Sequence, residues 1–227
     1  MAVTRPVLSV DVVLLSCEHG RMLVLLHRRA QAPFAGAMAL PGVAVGPDET
    51  LGTAARRALI GKAGLGKDAV GALHLEQIAT FDALFRDPRG RTVSVAHLGL
   101  TPAIIAAKPS AQACWVDAKR LDLRTLPFDH ADILSTAVAR LQGKLRYTNI
   151  AARLLADTFR LEELQSVYEA ILGRALNRSN FRTKLLKIGL IERAGVLPQA
   201  AGAQGGRPPH LYRFTRRDLA AQDREFV

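Results

Sequence analysis

Cysteine and long hydrophobic runs are scarce in this chain of 227 residues. Its 2 cysteines form no CxxC motif or Cys/His cluster, which excludes a disulfide framework and a zinc site and predicts a reduced, cytoplasmic protein. We expect both of them, Cys17 and Cys114, to be buried apolar fillers. No apolar run reaches the roughly 18–20 residues of a transmembrane helix, and Met1–Pro6 lacks a signal core, so we expect no membrane partner.

Basic residues are in excess. There are 31 Lys and Arg against 20 Asp and Glu, a formal net charge of +11 that favours a polyanionic partner. The excess is densest over Arg174–Arg217, where ten basic residues face a single acidic one, Glu192. Such a local concentration favours nucleic acid more strongly than the total charge does, and its alternative is a solvated basic face.

The first part of the chain has the pattern of an α/β domain. Strands are predicted at Val7–Ser16, Met22–His27, Leu73–Phe81, Thr92–Leu100 and Cys114–Val116. Helices are predicted at Thr50–Lys62 and His130–Gln142, the first with Asp48 as N-cap and Gly64 as its stop.

The second part changes character. Three helices are predicted at Tyr147–Ala156, Leu161–Gly173 and Asn177–Ile188, then two strands at Leu190–Arg193 and His210–Phe214 around a loop at Leu197–Pro209. Three helices followed by a hairpin with a long tip are the order of a winged helix-turn-helix. The sequence therefore predicts two domains, 1–145 and 146–227.

The last predicted helix has the two faces of a DNA-recognition helix. Phe181, Leu185 and Ile188 form its apolar side. Arg182 is suited to a guanine edge, and Arg207, in the predicted loop, to a minor groove or phosphate. The candidate DNA-binding residues are Arg178, Ser179, Asn180, Arg182, Thr183, Lys184, Lys187 and Arg207. The alternative is the surface of a protein-interaction module.

A segment of the first part, Leu40–Leu65, resembles the Nudix box of nucleoside-diphosphate hydrolases. Glu49, Arg57 and Gly64-Leu65 stand at the box offsets, and Gly42 lies one residue too far upstream. The alternative is an ordinary alanine-rich helix.

The box carboxylates that hold magnesium lie at i, i+3 and i+4 of one helix. Here those positions are Ala58, Gly61 and Lys62. We therefore expect no metal site and no catalytic residue, and the sequence disfavours pyrophosphate hydrolysis.

The combination of both parts resembles the Nudix-related transcriptional regulators, the NrtR-type and NadQ-type repressors of NAD metabolism genes. The likeness rests on stretches that span most of the chain, among them Pro33–Gly36, Ala39–Gly42, Leu75–Gln77, Arg86–Ala96, Phe128–His130, Leu164–Leu172, Asn180–Arg182 and Arg207–Arg213. It implies an α/β/α Nudix-like sandwich followed by a winged helix. It also implies a homodimer on a palindromic operator that responds to ADP-ribose, NAD or ATP and requires no cofactor.

By position, the resemblance marks ligand-side candidates at Arg28 or Arg29, Glu76, Gln77, Phe81, Arg86 and Asp87. Each has a structural alternative: Phe81 as a core residue, and Arg86 and Asp87 as a pair around their turn. We expect His130 to be structural.

Two other functions remain open at this stage. One is a residual Nudix hydrolase with a regulatory DNA-binding tail, and the other is a ligand-binding protein whose basic tail binds protein or RNA. Magnesium-dependent turnover identifies the first, and failure to bind a short palindromic duplex favours the second.

Overall fold

A computed structural model describes residues 5–102, 109–196 and 209–221. The chain divides into two compact units, with the main division in the third helix between Arg140 and Leu141, and the segment Cys17–Arg21 is grouped with the second unit. Within the described residues, no helix is long and apolar enough to cross a membrane. The boundary at 145/146 stays a prediction.

The first unit is built on a mixed sheet. Its strands are β1 (Val7–Glu18), β2 (Arg21–Arg28), β3 (Met38–Ala39), β4 (Gly42–Ala44), β5 (His74–Phe81), β6 (Thr92–Leu100) and β7 (Ala113–Asp117). Its helices are α1 (Leu51–Ala63), α2 (Lys67–Gly71) and the start of α3 (His130–Tyr147), with a 3-10 turn at Leu123–Thr125. The predicted α/β class is confirmed.

The sheet order is β3-β2-β1-β6-β5, with β4 paired to β1 and β7 paired to β2. Strands β1 and β6 are parallel, and the other registered pairs are antiparallel. Val10, Val12 and Leu14 of β1 pack with Ala54, Ala55, Ala58 and Leu59 of α1 in one buried core. Alternate β1 side chains point to the opposite face. There Asp11 meets His130 at the start of α3, so helices cover both faces of the sheet.

The N-cap of helix α1 lies two residues after the predicted cap, Asp48. Thr50 is the N-cap, and its side chain accepts from the backbone N–H of Thr53. The prediction of Asp48 was wrong because Thr50 takes the capping bond, while Glu49, between the two, accepts from the N–H of Gly46 at 2.6 Å. Gly64 ends the helix with a φ of 70°, as predicted.

Within the described residues, the second unit contains a three-stranded sheet of order β8-β10-β9, the end of α3 and two further α-helices. Its elements are β8 (Phe159–Arg160), α4 (Leu161–Leu172), α5 (Arg178–Lys187), β9 (Ile191–Val196) and β10 (His210–Phe214). The predicted helix at Tyr147–Ala156 was wrong: α3 continues to Tyr147, and only a 3-10 turn at Ile150–Arg153 follows. Most of the predicted loop at Leu197–Pro209 lies outside the described residues.

Aromatic contacts hold the second unit together. Tyr168 of α4 meets Phe181 of α5 edge-on at 5.1 Å, and Phe159 of β8 lies 5.2 Å from Phe214 of β10. The buried face of α5 therefore packs against α4, and its other residues remain at the surface.

The two cysteines differ in burial. Cys17 is buried, as predicted. Cys114 is exposed, so the expectation that it fills the core was wrong. It lies on β7, a five-residue strand whose described pairing is with β2.

Candidate functional site

A clamp between Glu49 and Arg57 fixes the loop before α1. The Arg57 guanidinium donates to both carboxylate oxygens of Glu49, at 3.1 and 2.5 Å, and to the carbonyl of Ala44 at 2.8 Å. This hydrogen-bonded pairing lowers the pKa of Glu49 and raises that of Arg57. Glu49 is thus committed to the loop, and the box scaffold is intact.

The metal-ligand positions of the box do not fit a magnesium ion. Ala58 is fully buried in the core, and a Cβ on Gly61 would meet nothing within 4 Å. Lys62, the third position, carries a positive charge. Across the described ranges, no group of three His, Cys, Asp or Glu residues is arranged to hold a metal ion. The donor set of a hard, oxygen-ligated cation is missing.

The end of α1 is joined to the end of β2. The carbonyl of Ala63 accepts from the N–H of Ser110 at 2.8 Å, and β7 then pairs Ala113 with His27. At Gly64 a Cβ would lie 2.6 Å from the Cβ of Ser110, so this contact requires glycine. Lys62 is therefore held beside the strand end that carries His27, Arg28 and Arg29.

Two arginines surround one aromatic ring next to this strand end. The Arg29 guanidinium lies 4.8 Å and that of Arg89 lies 5.7 Å from the ring centroid of Phe128. Phe34 contacts the same ring edge-on at 5.0 Å and is 46% exposed. Arg29 also donates to the carbonyl of Pro33 at 2.9 Å. Cation–π contacts of this kind hold guanidinium groups in place.

Arg86 is engaged in a buried ionic network. It donates to both carboxylate oxygens of Asp129, at 2.7 and 2.6 Å, and to Asp11 at 3.3 Å. Asp87 pairs instead with Arg89. The alternative that Arg86 and Asp87 pair with each other was therefore wrong. Each residue holds a different partner, and Arg86 has only 4% of its side chain exposed.

Asp11 is the centre of that network. Burial raises the pKa of its carboxyl, but hydrogen bonds from His130 and Ser94 and the charge of Arg86 outweigh burial and leave the pKa below 3.8. His130 accepts from the N–H of Leu40 through Nδ1, so its proton lies on Nε2, 3.5 Å from Asp11. This supports the structural role expected for His130. A Cβ on Gly42 would lie 2.1 Å from Asp11, so glycine is required there.

The sequence-predicted ligand residues fall into separate groups. Arg28 is the last residue of β2 and Arg29 follows it, whereas Glu76, Gln77 and Phe81 lie on β5. Strands β2 and β5 are three strand spacings apart in the sheet, about 14 Å. Glu76 receives a hydrogen bond from Arg140 at 3.3 Å, Gln77 is exposed and Phe81 is half-buried.

Sequence reasoning missed Asp11, Arg89, Phe34 and Phe128. Asp11 had a readable signal, because a lone carboxylate inside the aliphatic run of β1 marks a paired buried charge. The ring of Phe128 had no such signal, since its two arginines come from distant parts of the chain.

The second candidate surface is the outer side of α5. All seven of its predicted DNA-binding residues are exposed: Arg178, Ser179, Asn180, Arg182, Thr183, Lys184 and Lys187. Asn177 caps the helix by accepting from the N–H of Asn180 at 3.0 Å. The eighth candidate, Arg207, lies outside the described residues.

A depression of about 260 Å³ lies between α5 and the hairpin strand β10. Arg178, Ser179 and Arg182 line it together with Glu162 and His210. Arg178 forms an ion pair with Glu162, while Arg182, Lys184 and Lys187 have no carboxylate partner within the described part of the chain. The surface therefore presents uncompensated positive charge.

Comparison with known proteins matches both units. A model of the NUDIX domain matches residues 5–137, and a model described as the NrtR DNA-binding winged helix domain matches residues 151–214. The ADPR responsive transcriptional repressor NtrR of Acinetobacter baylyi is 34% identical over 218 residues, which cover 94% of this chain and 84% of that protein.

Solved structures match as well. The crystal structure of Shewanella oneidensis NrtR complexed with a 27mer DNA is similar with a TM-score of 0.78 and 28% identity, covering 97% of this chain and 99% of that one. The NUDIX domain of the same protein, complexed with ADP ribose, is similar with a TM-score of 0.50 and 29% identity, covering 61% of this chain and 90% of that one.

Proposed function

This chain belongs to the NrtR family of Nudix-related transcriptional regulators, and we propose on that basis that it is a DNA-binding repressor controlled by ADP-ribose. The observation that carries this proposal is the exposed, basic α5 beside a hairpin, in a unit that matches a DNA-binding winged helix. A relative is named as an ADPR-responsive repressor, and another relative of similar length was solved with DNA.

Helix α5 enters the major groove in this proposal. Arg182 reads a base edge, and Lys184 and Lys187 neutralise phosphates. Arg178, Ser179, Asn180 and Thr183 complete the contact surface, with Arg207 from the loop between β9 and β10. The exposure of the α5 residues and the unpaired cations Arg182, Lys184 and Lys187 support this arrangement.

The effector binds the first unit without being hydrolysed. Ala58, Gly61 and Lys62 replace the carboxylates that hydrolysis needs, and Glu49 is committed to Arg57. ADP-ribose is favoured over NAD and ATP because two relatives are named or solved with it. Arg28 and Arg29 serve its phosphates, and Glu76, Gln77, Phe81, Arg86 and Asp87 line or support the rest of the site.

The active form is a homodimer on a palindromic operator of NAD metabolism genes. A two-fold protein reads a two-fold site with half-sites spaced by whole turns of DNA. Such a repressor acts in the cytoplasm on chromosomal DNA. Its effector-binding domain is 1–145 and its DNA-binding domain 146–227.

Selection from a random duplex library tests the DNA half of this proposal. We expect enrichment of one palindromic sequence, and binding of that duplex followed by fluorescence anisotropy should fall steeply with salt, because several phosphates are neutralised. No enrichment, or a flat salt response, contradicts the proposal.

Turnover of ADP-ribose tests the other half. During incubation with the protein and magnesium, ADP-ribose should be lost no faster than in a protein-free blank. Release of AMP and ribose 5-phosphate above the blank identifies the residual hydrolase instead.

A further inference from the structure

Lys62 stands at the third box position, where the hydrolases have a metal-binding carboxylate, and we assign it a function of its own. We infer that the ammonium of Lys62 occupies the place of the divalent cation, so that a nucleoside diphosphate effector binds by its pyrophosphate without any metal. This inference rests on the proposed function, because it concerns the site at which ADP-ribose binds.

Helix α1 has lost the ligands for magnesium, but its scaffold still fixes where the box positions lie. Ala58 and Lys62 are one turn apart on α1 and lie on one side of the helix. Ala58 is at the buried end of this side, and Lys62 is exposed at its rim. The Glu49–Arg57 clamp and the cap at Gly64 fix both ends of the segment, so the position of residue 62 is set by the box scaffold.

Lys62 lies on the last turn of α1, which is beside the end of β2. The bond between Ala63 and Ser110 and the pairing of Ala113 with His27 bring the last turn of α1 beside that strand. Electrostatics agree with the geometry. Burial lowers the pKa of the His27 imidazole, and the charges of Lys62 and Arg29 lower it further.

Positive charge at this place is not neutralised by direct ion pairs, although Asp87 and Asp11 act on Arg29 at longer range. Lys62, Arg28 and Arg29 form no ion pair with any carboxylate in the described part of the chain, and the two arginines donate only to backbone carbonyls. Other arginines of the same unit are neutralised: Arg57 by Glu49, and Arg89 by Asp87. Three unpaired cations close together are suited to a multiply charged anion.

The chemistry of the replacement explains binding without turnover. Guanidinium groups bind phosphate oxygens in pairs, and an ammonium acts as a compact point charge. Lys62 therefore supplies charge neutralisation that a divalent cation supplies in the hydrolases. It carries no coordinated water and cannot generate a nucleophile as a metal does. A sensor with this site reads the concentration of its effector without consuming it.

Isothermal titration of the full chain with ADP-ribose, in EDTA and in magnesium, tests the inference. We expect the wild type to bind equally in both buffers, within about twofold. Lys62→Ala should weaken binding at least about tenfold in both, and Lys62→Arg should recover most of the loss, as expected for one charged phosphate contact. Lys119→Ala is the matched control, since Lys119 is exposed and follows the far end of β7, where Asp117 pairs with Leu23.

A second ligand separates phosphate recognition from folding. Adenosine lacks phosphates, so its binding or its inhibition of ADP-ribose binding should be unchanged in Lys62→Ala. The fluorescence of Trp115, the single tryptophan, reports that the variant is folded.

Three results would overturn the inference. The first is wild-type binding that is lost in EDTA and restored by magnesium, which leaves the proposed function standing. The second is unchanged affinity in Lys62→Ala with only lower stability, as expected if Lys62 serves the C-terminal dipole of α1 alone. The third, no ADP-ribose binding in either buffer, contradicts the proposed function itself.

Discussion

At the scale of single residues, the buried charge of Asp11 is the most consequential feature of the first unit. It accepts from Ser94 at 2.6 Å and from Arg86 at 3.3 Å, and it lies beside His130. Removing one partner of a buried ion pair leaves the others without compensation. We expect Asp11→Asn to lower the free energy of unfolding by about 3–5 kcal/mol, measured by urea denaturation with Trp115 fluorescence.

The pH dependence of that loss follows from the lowered pKa of Asp11. Stability from a carboxyl with a depressed pKa is fully present above its unfolded value of 3.8 and is lost as pH falls through the folded value. The difference between wild type and Asp11→Asn should therefore be constant above about pH 5 and shrink below pH 4. Asp122→Asn, in the exposed pair with Arg124, should change little at any pH. A constant difference down to pH 2 would contradict this explanation.

Substitution of Arg182 tests the proposed DNA-binding surface at the scale of one residue. It is exposed on α5 and has no carboxylate partner in the described ranges. Arg182→Ala should weaken binding to the selected duplex by about 1–3 kcal/mol and weaken binding to random duplex less, because a base contact carries specificity. Arg124→Ala, an exposed arginine of the first unit, is the control. Equal losses on both duplexes would assign Arg182 to phosphate alone.

At the scale of elements, α1 keeps its scaffold and loses its metal ligands. Two glycines of this helix segment separate backbone from side-chain effects. Gly64 has a φ of 70° and no room for a Cβ beside Ser110. A Cβ at Gly61, in contrast, would meet nothing within 4 Å. We expect Gly64→Ala to lower the free energy of unfolding by more than about 1 kcal/mol and Gly61→Ala to raise it by about 0.5–1 kcal/mol. Thermal unfolding measures both, and equal signs would contradict this account of the helix end.

Sequence patterns predicted the long elements well and the short ones poorly. Strand β6 has the predicted bounds, Thr92–Leu100, because most of its residues are aliphatic or β-branched. Strands β3 and β4, with 2 and 3 residues, carry no pattern of their own and exist only through pairing with β2 and β1. The helix expected at Tyr147–Ala156 has apolar residues in suitable numbers, but they are buried in a 3-10 turn instead.

The candidate site was predictable where local spacing defines it. The offsets of Glu49 and Arg57 marked them as residues of the box scaffold, and the structure joins the two by hydrogen bonds. The network of Asp11, Arg86 and Asp129 joins residues 75 and 43 positions apart. Such contacts depend on the assembled sheet. The sequence alone therefore does not predict which of these charged residues pair.

At the scale of the whole molecule, the basic residues behind the net charge of +11 are concentrated in two places. Part of it lies on α5, where it is suited to DNA, and part lies at the end of β2 and α1, where it is suited to a pyrophosphate. Linkage requires that an effector which changes the affinity for DNA has its own affinity changed by the same factor in the presence of that DNA. Helix α3, which has 18 residues, continues across the division between the units.

The reciprocal titration is the most direct test of this account. The affinity of the full chain for the selected duplex is measured by anisotropy with and without saturating ADP-ribose. The affinity for ADP-ribose is measured by isothermal titration with and without the duplex. We expect both affinities to change by one common factor of about 5–150, with ADP-ribose recovered intact. An unchanged affinity for the duplex, or ADP-ribose that has been hydrolysed, would contradict it.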